Sequence, residues 1–118
     1  MSIDRYQGAA EYADRIEREL RKLNAWQSEP LPDSAYASRA AFFADTMTLY
    51  QWLQFVLLRR VRDIIKERGA FPEKSSVGAH AVRELDGCDE AADLVRALCE
   101  FDRFIESQHH SSRKRNHP

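Results

Sequence analysis

The side chains in this chain with the capacity for chemistry are few, and their spacing brings few of them together. His109 and His110 are adjacent. Adjacent residues on a helix point in different directions, so this pair makes a poor metal-binding face. No Cys-x-x-Cys or His-x-x-x-His occurs, and Cys99 lies a helical run away from His109. His80 stands alone and is expected at a surface or interface. No serine has a nucleophile-elbow context, and four scattered glycines cannot cradle a phosphate. Asp45 and Asp63 are separated by about five helical turns, which argues against a shared proton-transfer site. These patterns predict a protein that is not an enzyme, with no cofactor and no structural metal.

Two clusters remain. Arg59, Arg62 and Lys66 recur at spacings of three and four and share a helix face that could contact phosphates. Asp63 and Glu67 lower the potential of that face, and a solvated surface explains it equally. The tail triplet Arg113, Lys114 and Arg115 could add a salt-dependent grip on RNA or an acidic partner, or simply solubilise the end. The second cluster is Asp45, Thr46, Tyr50, Trp52 and Gln54, where a loop enters the most apolar helix. Aromatics beside a polar rim anchor interfaces. Capping and core packing are the other use for these residues.

The elements that must position these groups are helical. Leu49, Trp52, Leu53, Val56, Leu57, Val61, Ile64 and Ile65 follow helical periodicity, and Phe55 and Leu58 broaden the stripe. Such a helix needs neighbours on more than one side. Thr48 is its expected N-cap, with Gln51 completing a capping box and Met47 and Trp52 forming a hydrophobic staple. Gly69 is expected to take the left-handed position at its end. A first helix is predicted over residues 3–27, with Glu11–Arg15, Arg15–Glu19 and Glu17–Arg21 as pairs along it. Pro30 and Pro32 break the chain, and residues 38–44 could form a short helix. Ser75 or Ser76 should cap a third helix through Leu85, buried through Val77, Ala81, Val82 and Leu85. Phe71 is expected to tuck into the bundle. Asp89 should cap the last helix, whose stripe is Leu94, Val95, Leu98, Phe101, Phe104 and Ile105.

The expected fold is therefore all-α, an up-down bundle of about four helices over residues 1–106. A flexible, disordered, polar and basic tail is expected over 107–118. A formal net charge of -1 excludes a domain devoted to coating a nucleic-acid backbone. Two cysteines, Cys88 and Cys99, fit a reduced compartment and are not expected to pair. The N-terminus lacks a signal-type apolar core, and no apolar run is long enough to span a membrane, so the expected location is cytoplasmic.

The run Phe42–Phe43–x–Asp45–Thr46–Met47, followed by Trp52–Leu53–Gln54–Phe55–Val56–Leu57 and then Arg60, resembles the signature of the bacterial YqcC-like family. The similarity covers most of the chain. It implies a small cytoplasmic helical bundle without assigned catalytic or binding residues, some members being encoded beside a pseudouridine synthase that acts on transfer RNA. There are departures. Arg59 stands where the family often has proline, and residues 75–80 replace an aromatic-rich segment. The leading expectation is a non-catalytic interaction or accessory protein whose partner could be an RNA-modification enzyme. A weak RNA-binding adaptor and a binder of a small apolar ligand are the alternatives. Monomer and homodimer both remain open.

Overall fold

A computed structural model describes residues 4–116, with side-chain surroundings through residue 108. Helix α1 spans Arg5–Lys22. Asp4 caps it, its carboxylate accepting the Tyr6 amide at 2.9 Å. The helix is shorter than the expected 3–27. Asn24 adopts a left-handed conformation (φ 58°), and the Ala25 amide donates back to the Leu20 carbonyl at 2.9 Å, a Schellman closure. Tyr6, Ala9, Ala13, Ile16 and Leu20 are buried along one stripe.

A long connection follows, with single 3₁₀ turns at Asp33–Tyr36 and Ala41–Phe43. The central helix then runs as α2 (Leu49–Trp52), a π turn (Leu53–Leu57) and α3 (Leu58–Glu67). The Thr48–Gln51 capping box is present in both directions, and Met47 and Trp52 are both buried. The π turn has a packing cause. Leu53 and Leu58 are five residues apart, which an α-helix would point in different directions. The Leu58 amide bonds to the Leu53 carbonyl, and this wider turn brings both leucines into the core.

The helix ends on Arg68 and not on Gly69 as expected. Arg68 has φ 52°, its amide reaching Ile65 and that of Gly69 reaching Ile64. Glycine would tolerate this conformation more easily. Arg68 is held there by its surroundings. Its guanidinium lies 4.5 Å from the Tyr6 ring centroid and pairs with Asp4 at 3.1 Å. The Tyr6 hydroxyl sits 2.8 and 2.7 Å from the Arg68 and Gly69 carbonyl oxygens, to which it donates its proton.

Helix α4 spans Val77–Glu84 and α5 spans Ala92–Asn116. α5 thus continues past the expected boundary at 106, and the side chains from His109 onward lie outside the described residues. Three expectations here are corrected. Neither serine caps α4; Asp102 of α5 does, accepting the amides of Val77 at 3.1 Å and Gly78 at 2.7 Å. Val82 is 52% exposed, because α4 turns only Val77, Gly78 and Ala81 fully inward. Asp89 begins a 3₁₀ turn, Asp89–Ala91, that leads into α5, and Cys88 occupies the position before it. Both cysteines are free.

α1 packs against α3 and α5, and α4 against α5. The four helices make an all-α bundle, and no described helix is long and apolar enough to cross a membrane. Ion pairs tie the packed faces. Arg15 leaves its expected partners on α1 and grips both oxygens of Glu100 on α5, at 3.1 and 3.2 Å. Glu17 pairs with Arg21 as expected and also receives Arg62 from α3 at 2.8 Å. Burial tends to raise the Glu17 carboxyl, but bonds from Arg21 and Arg62 outweigh it and hold it low. Arg15 similarly holds Glu100 low, and the Tyr6 amide, with Arg68, does so for Asp4.

Two predictions follow from this packing. A Cβ at Gly78 would lie 2.6 Å from the Cys99 Cα, whereas one at Gly69 would meet nothing within 4 Å. Gly78→Ala should destabilise by about 2 kcal/mol or more through backbone displacement. Gly69→Ala should change stability by less than about 0.5 kcal/mol. Chemical denaturation of the two variants measures the difference. The depressed carboxyl groups stabilise the fold above their unfolded values, near pH 4, and that contribution disappears as pH falls through their folded values. Glu17→Gln should therefore melt lower than the parent chain at pH 7, with the gap closing below about pH 4; circular dichroism melts across this range test it.

Candidate functional site: an aromatic groove

The signature loop does not present its residues as one open surface. Gln54, in the π turn, faces inward to residue 27. Its Oε1 accepts the Gln27 amide at 2.9 Å and its Nε2 donates to the Gln27 carbonyl at 2.8 Å. Gln51 adds a bond to the Gln27 side chain at 2.8 Å. Thr46 donates its hydroxyl proton to the Ala35 carbonyl at 2.7 Å, and Asp45 accepts from the Ser38 hydroxyl. Tyr50 is half-buried beside Cys88; burial first, then the neighbouring thiol and Glu90, raise its phenol above the usual value. Asp45, Thr46, Tyr50 and Gln54 thus all have structural partners.

Trp52 belongs elsewhere. It is buried, and Phe42 meets it edge-on with ring centroids 4.8 Å apart. The other side of Phe42 stacks flat on His80, at 4.1 Å and 6°. His80 is therefore packed between elements, its side chain only 15% exposed. Phe42 and Phe43 have φ 57° and 51°. Consecutive left-handed residues with large side chains are unusual, each costing on the order of 1–3 kcal/mol. The Trp52–Phe42–His80 stack holds the turn in this form.

Phe42 of this stack stands at one side of a groove of about 620 Å³. Its floor is Trp52, Leu57, Val61, Phe71, Val77, Phe101 and Ile105, all buried. Arg60, Asp63 and Lys74 are exposed at its edge. α3 contributes Val61 and Ile64 to this lining, and α5 contributes Phe101 and Ile105. The connector from 70 to 76 closes the rest, fixed by Asp102, which receives the Ser75 hydroxyl at 2.5 Å in addition to the two α4 amides. Phe71 lies against Tyr6 and Phe104, with ring centroids 5.4 and 6.4 Å away.

The basic residues also separate. Arg62 is bound to Asp14 and Glu17 of α1, at 3.3 and 2.8 Å, and serves as a helix-to-helix bridge. Arg59 and Lys66 are exposed. The side chains of Arg113, Lys114 and Arg115 lie outside the described residues. Among the described residues no group of three or more His, Cys, Asp or Glu side chains could hold a metal.

Sequence reasoning missed the groove, the Phe42–His80 stack and the cap from Asp102. One signal for Asp102 was present. It shares the α5 stripe with Leu98, Phe101 and Ile105, and a carboxylate on a buried face must have partners. No periodicity could have joined Phe42 to His80, because the contact depends on two consecutive left-handed residues.

Comparison with known proteins agrees with this architecture. The solution NMR structure of protein YqcC from Escherichia coli superposes with a TM-score of 0.78, covering 88% of this chain and 90% of that one at 22% identity. The uncharacterised protein YqcC of E. coli strain K12 is 32% identical over 76 residues, 58% of this chain and 65% of that protein. An uncharacterised protein of Haemophilus influenzae is 25% identical over 88 residues, 75% of this chain and 83% of its own length. A 57-residue stretch is 39% identical to part of a tRNA pseudouridine synthase C from Pectobacterium carotovorum, covering 48% of this chain but 15% of that protein. Residues 9–104 match the DUF446 family, described as tRNA pseudouridine synthase C, and the chain belongs to that YqcC-like family.

Proposed function

We propose that this protein is a non-catalytic accessory protein, acting in the cytoplasm, that docks onto an RNA-modification enzyme. The observation that carries this reading is the groove, a concavity lined by large, mostly buried apolar side chains with charges at its edge. A concave apolar lining with a few charged groups is the usual form of a binding site. Trp52 serves it directly, as part of the floor. Asp45 and Thr46 serve it by holding the loop that carries Phe42, while Gln54 ties residue 27 and Tyr50 lies beside Cys88. The likeness to part of a tRNA pseudouridine synthase C supports the choice of partner. Within one polypeptide, linkage keeps two modules at high effective concentration; a separate chain reaches the same proximity only by binding.

A second reading is favoured by the exposed Arg59 and Lys66, which make no ion pair among the described residues. Together with the tail they would give weak contact with RNA phosphates, falling steeply with salt.

Capture of the N-terminally tagged protein from its own cells, with and without ribonuclease, separates the two. The expected outcome is a near-stoichiometric protein partner that persists after ribonuclease treatment. Recovery of RNA, or of proteins lost on ribonuclease treatment, overturns the first reading in favour of the second. Extra mass on the gently purified chain with neither partner present points instead to a small apolar ligand.

A further inference from the structure

We infer that Asp86 and Gly87, in the turn between α4 and α5, form a site of spontaneous covalent modification, at which the main chain is rerouted through the Asp86 side chain to give an isoaspartyl linkage.

The reaction needs an aspartate whose carboxyl is free and whose following amide nitrogen is both free and unhindered. Of the aspartates and asparagines in the chain, Asp86 alone is followed by glycine. Asp86 and Gly87 are both exposed. Among the described residues the Asp86 carboxyl has no hydrogen bond or ion pair, and the Gly87 amide has no acceptor. The turn is closed by the Cys88 amide, which donates to the Leu85 carbonyl at 3.0 Å. Its closing bond therefore uses neither of the two reacting groups.

The surroundings leave room for the attack. Gly87 has φ 81°, and a Cβ there would meet nothing within 4 Å, so the turn projects away from the bundle. Glycine rotates more freely than any other residue, which lets its nitrogen swing toward the carboxyl. Other aspartates lack this freedom. Asp45 precedes Thr46, whose amide is tied to the Phe43 carbonyl at 3.0 Å. Asp14, Asp63 and Asp102 lie within helices, where the next amide is bonded back along the ladder.

Every atom is conserved. The Gly87 nitrogen gives up its proton and bonds to Cγ of the protonated Asp86 carboxyl, and water leaves. Water then adds to one carbonyl of the five-membered imide. Breaking the bond from nitrogen to Cγ restores Asp86. Breaking the bond from nitrogen to the Asp86 carbonyl carbon leaves the chain running through Cβ and Cγ, with the former main-chain carboxyl free. Water is lost and regained, and nothing is oxidised or reduced. The main chain is then one carbon longer between α4 and α5. Asp102 holds the far end of α4, and Gly78 rests against Cys99, so the extra length falls on the turn itself. It displaces Cys88, whose carbonyl receives the Ala91 amide at 3.1 Å and whose thiol lies beside Tyr50.

The test is to age the whole folded chain in warm neutral buffer made with heavy-oxygen water, and then to digest it with trypsin in ordinary water. The peptide running from Glu84 to Arg96 should divide into two chromatographic forms. The new form should carry one heavy oxygen and show the backbone fragmentation of an isoaspartyl link. Its free carboxyl is the acceptor for carboxyl methyltransferases specific to isoaspartyl residues. The aged chain should therefore take up a labelled methyl group from S-adenosylmethionine, and the fresh chain should not. Asp86→Glu keeps the charge at an exposed position but cannot close a five-membered imide; it should lose both the new peptide form and the methyl uptake, with an unchanged melting temperature. An isomer that forms only after the chain is unfolded in urea overturns the inference, because the fold would then protect the turn. So does an isomer that accumulates first at another aspartate, or equal methyl uptake by the aged Asp86→Glu chain.

Discussion

A single carboxylate holds the second half of this bundle in place. Asp102 projects from the buried stripe of α5 and accepts the first amides of α4 and the Ser75 hydroxyl. A helix of eight residues has little stability of its own. Its free amides would otherwise be buried without partners, and its dipole favours an anion at that end. With the cap in place, Gly78 lies directly on the Cys99 backbone and Ala81 is fully enclosed. The connector between α3 and α4 then has one course, over Phe71, and the groove acquires its outer edge. The cap, the glycine contact and the groove are steps in one chain of dependence.

The first half depends on a comparable exchange between strain and contact. Arg68 and Phe42 both adopt conformations that glycine would accept more readily, and each is retained because its side chain is engaged. Arg68 covers the Tyr6 ring and meets Asp4. Phe42 fits between Trp52 and His80. Replacing either with glycine would relieve the backbone and lose the contact, so local propensity alone does not decide which residue belongs there.

What could be read from the sequence was what is local. The Thr48–Gln51 box and the buried stripe of α5 rest on spacing within one segment, and the fold bears them out, as it does Phe71 as a core residue. The misplacements come from interactions between segments. Gly69 was the better candidate for a left-handed residue by propensity, yet Arg68 takes the position because Tyr6 and Asp4 lie across from it. Ser75 and Ser76 were the natural caps until a carboxylate from α5 displaced them. Val82 matched the helical period, but α4 is too short and too close to α5 to bury more than a narrow face. For the candidate site, Trp52 was visible as an aromatic near a loop. Its companions in the groove come from α3, the connector and α5, and no pattern within one segment unites them.

The pairing of Gln54 with residue 27 has a topological consequence. The side-chain amide of Gln54 both accepts from and donates to the Gln27 backbone, as a neighbouring strand would. An otherwise helical protein thus contains one rung of a ladder made by a side chain. Further along, Thr46 fastens Ala35, closing a second ring. The long connection between α1 and α2 is therefore divided into short, separately fastened spans, with the proline-bearing stretch 28–34 between the two ties. Loop length has only a weak effect on closure entropy, each doubling costing about 0.6 kcal/mol. The division matters more for position than for stability: it gives the turn carrying Phe42 a fixed origin at each end, so that a connection with no regular structure places an aromatic ring as reliably as a helix would.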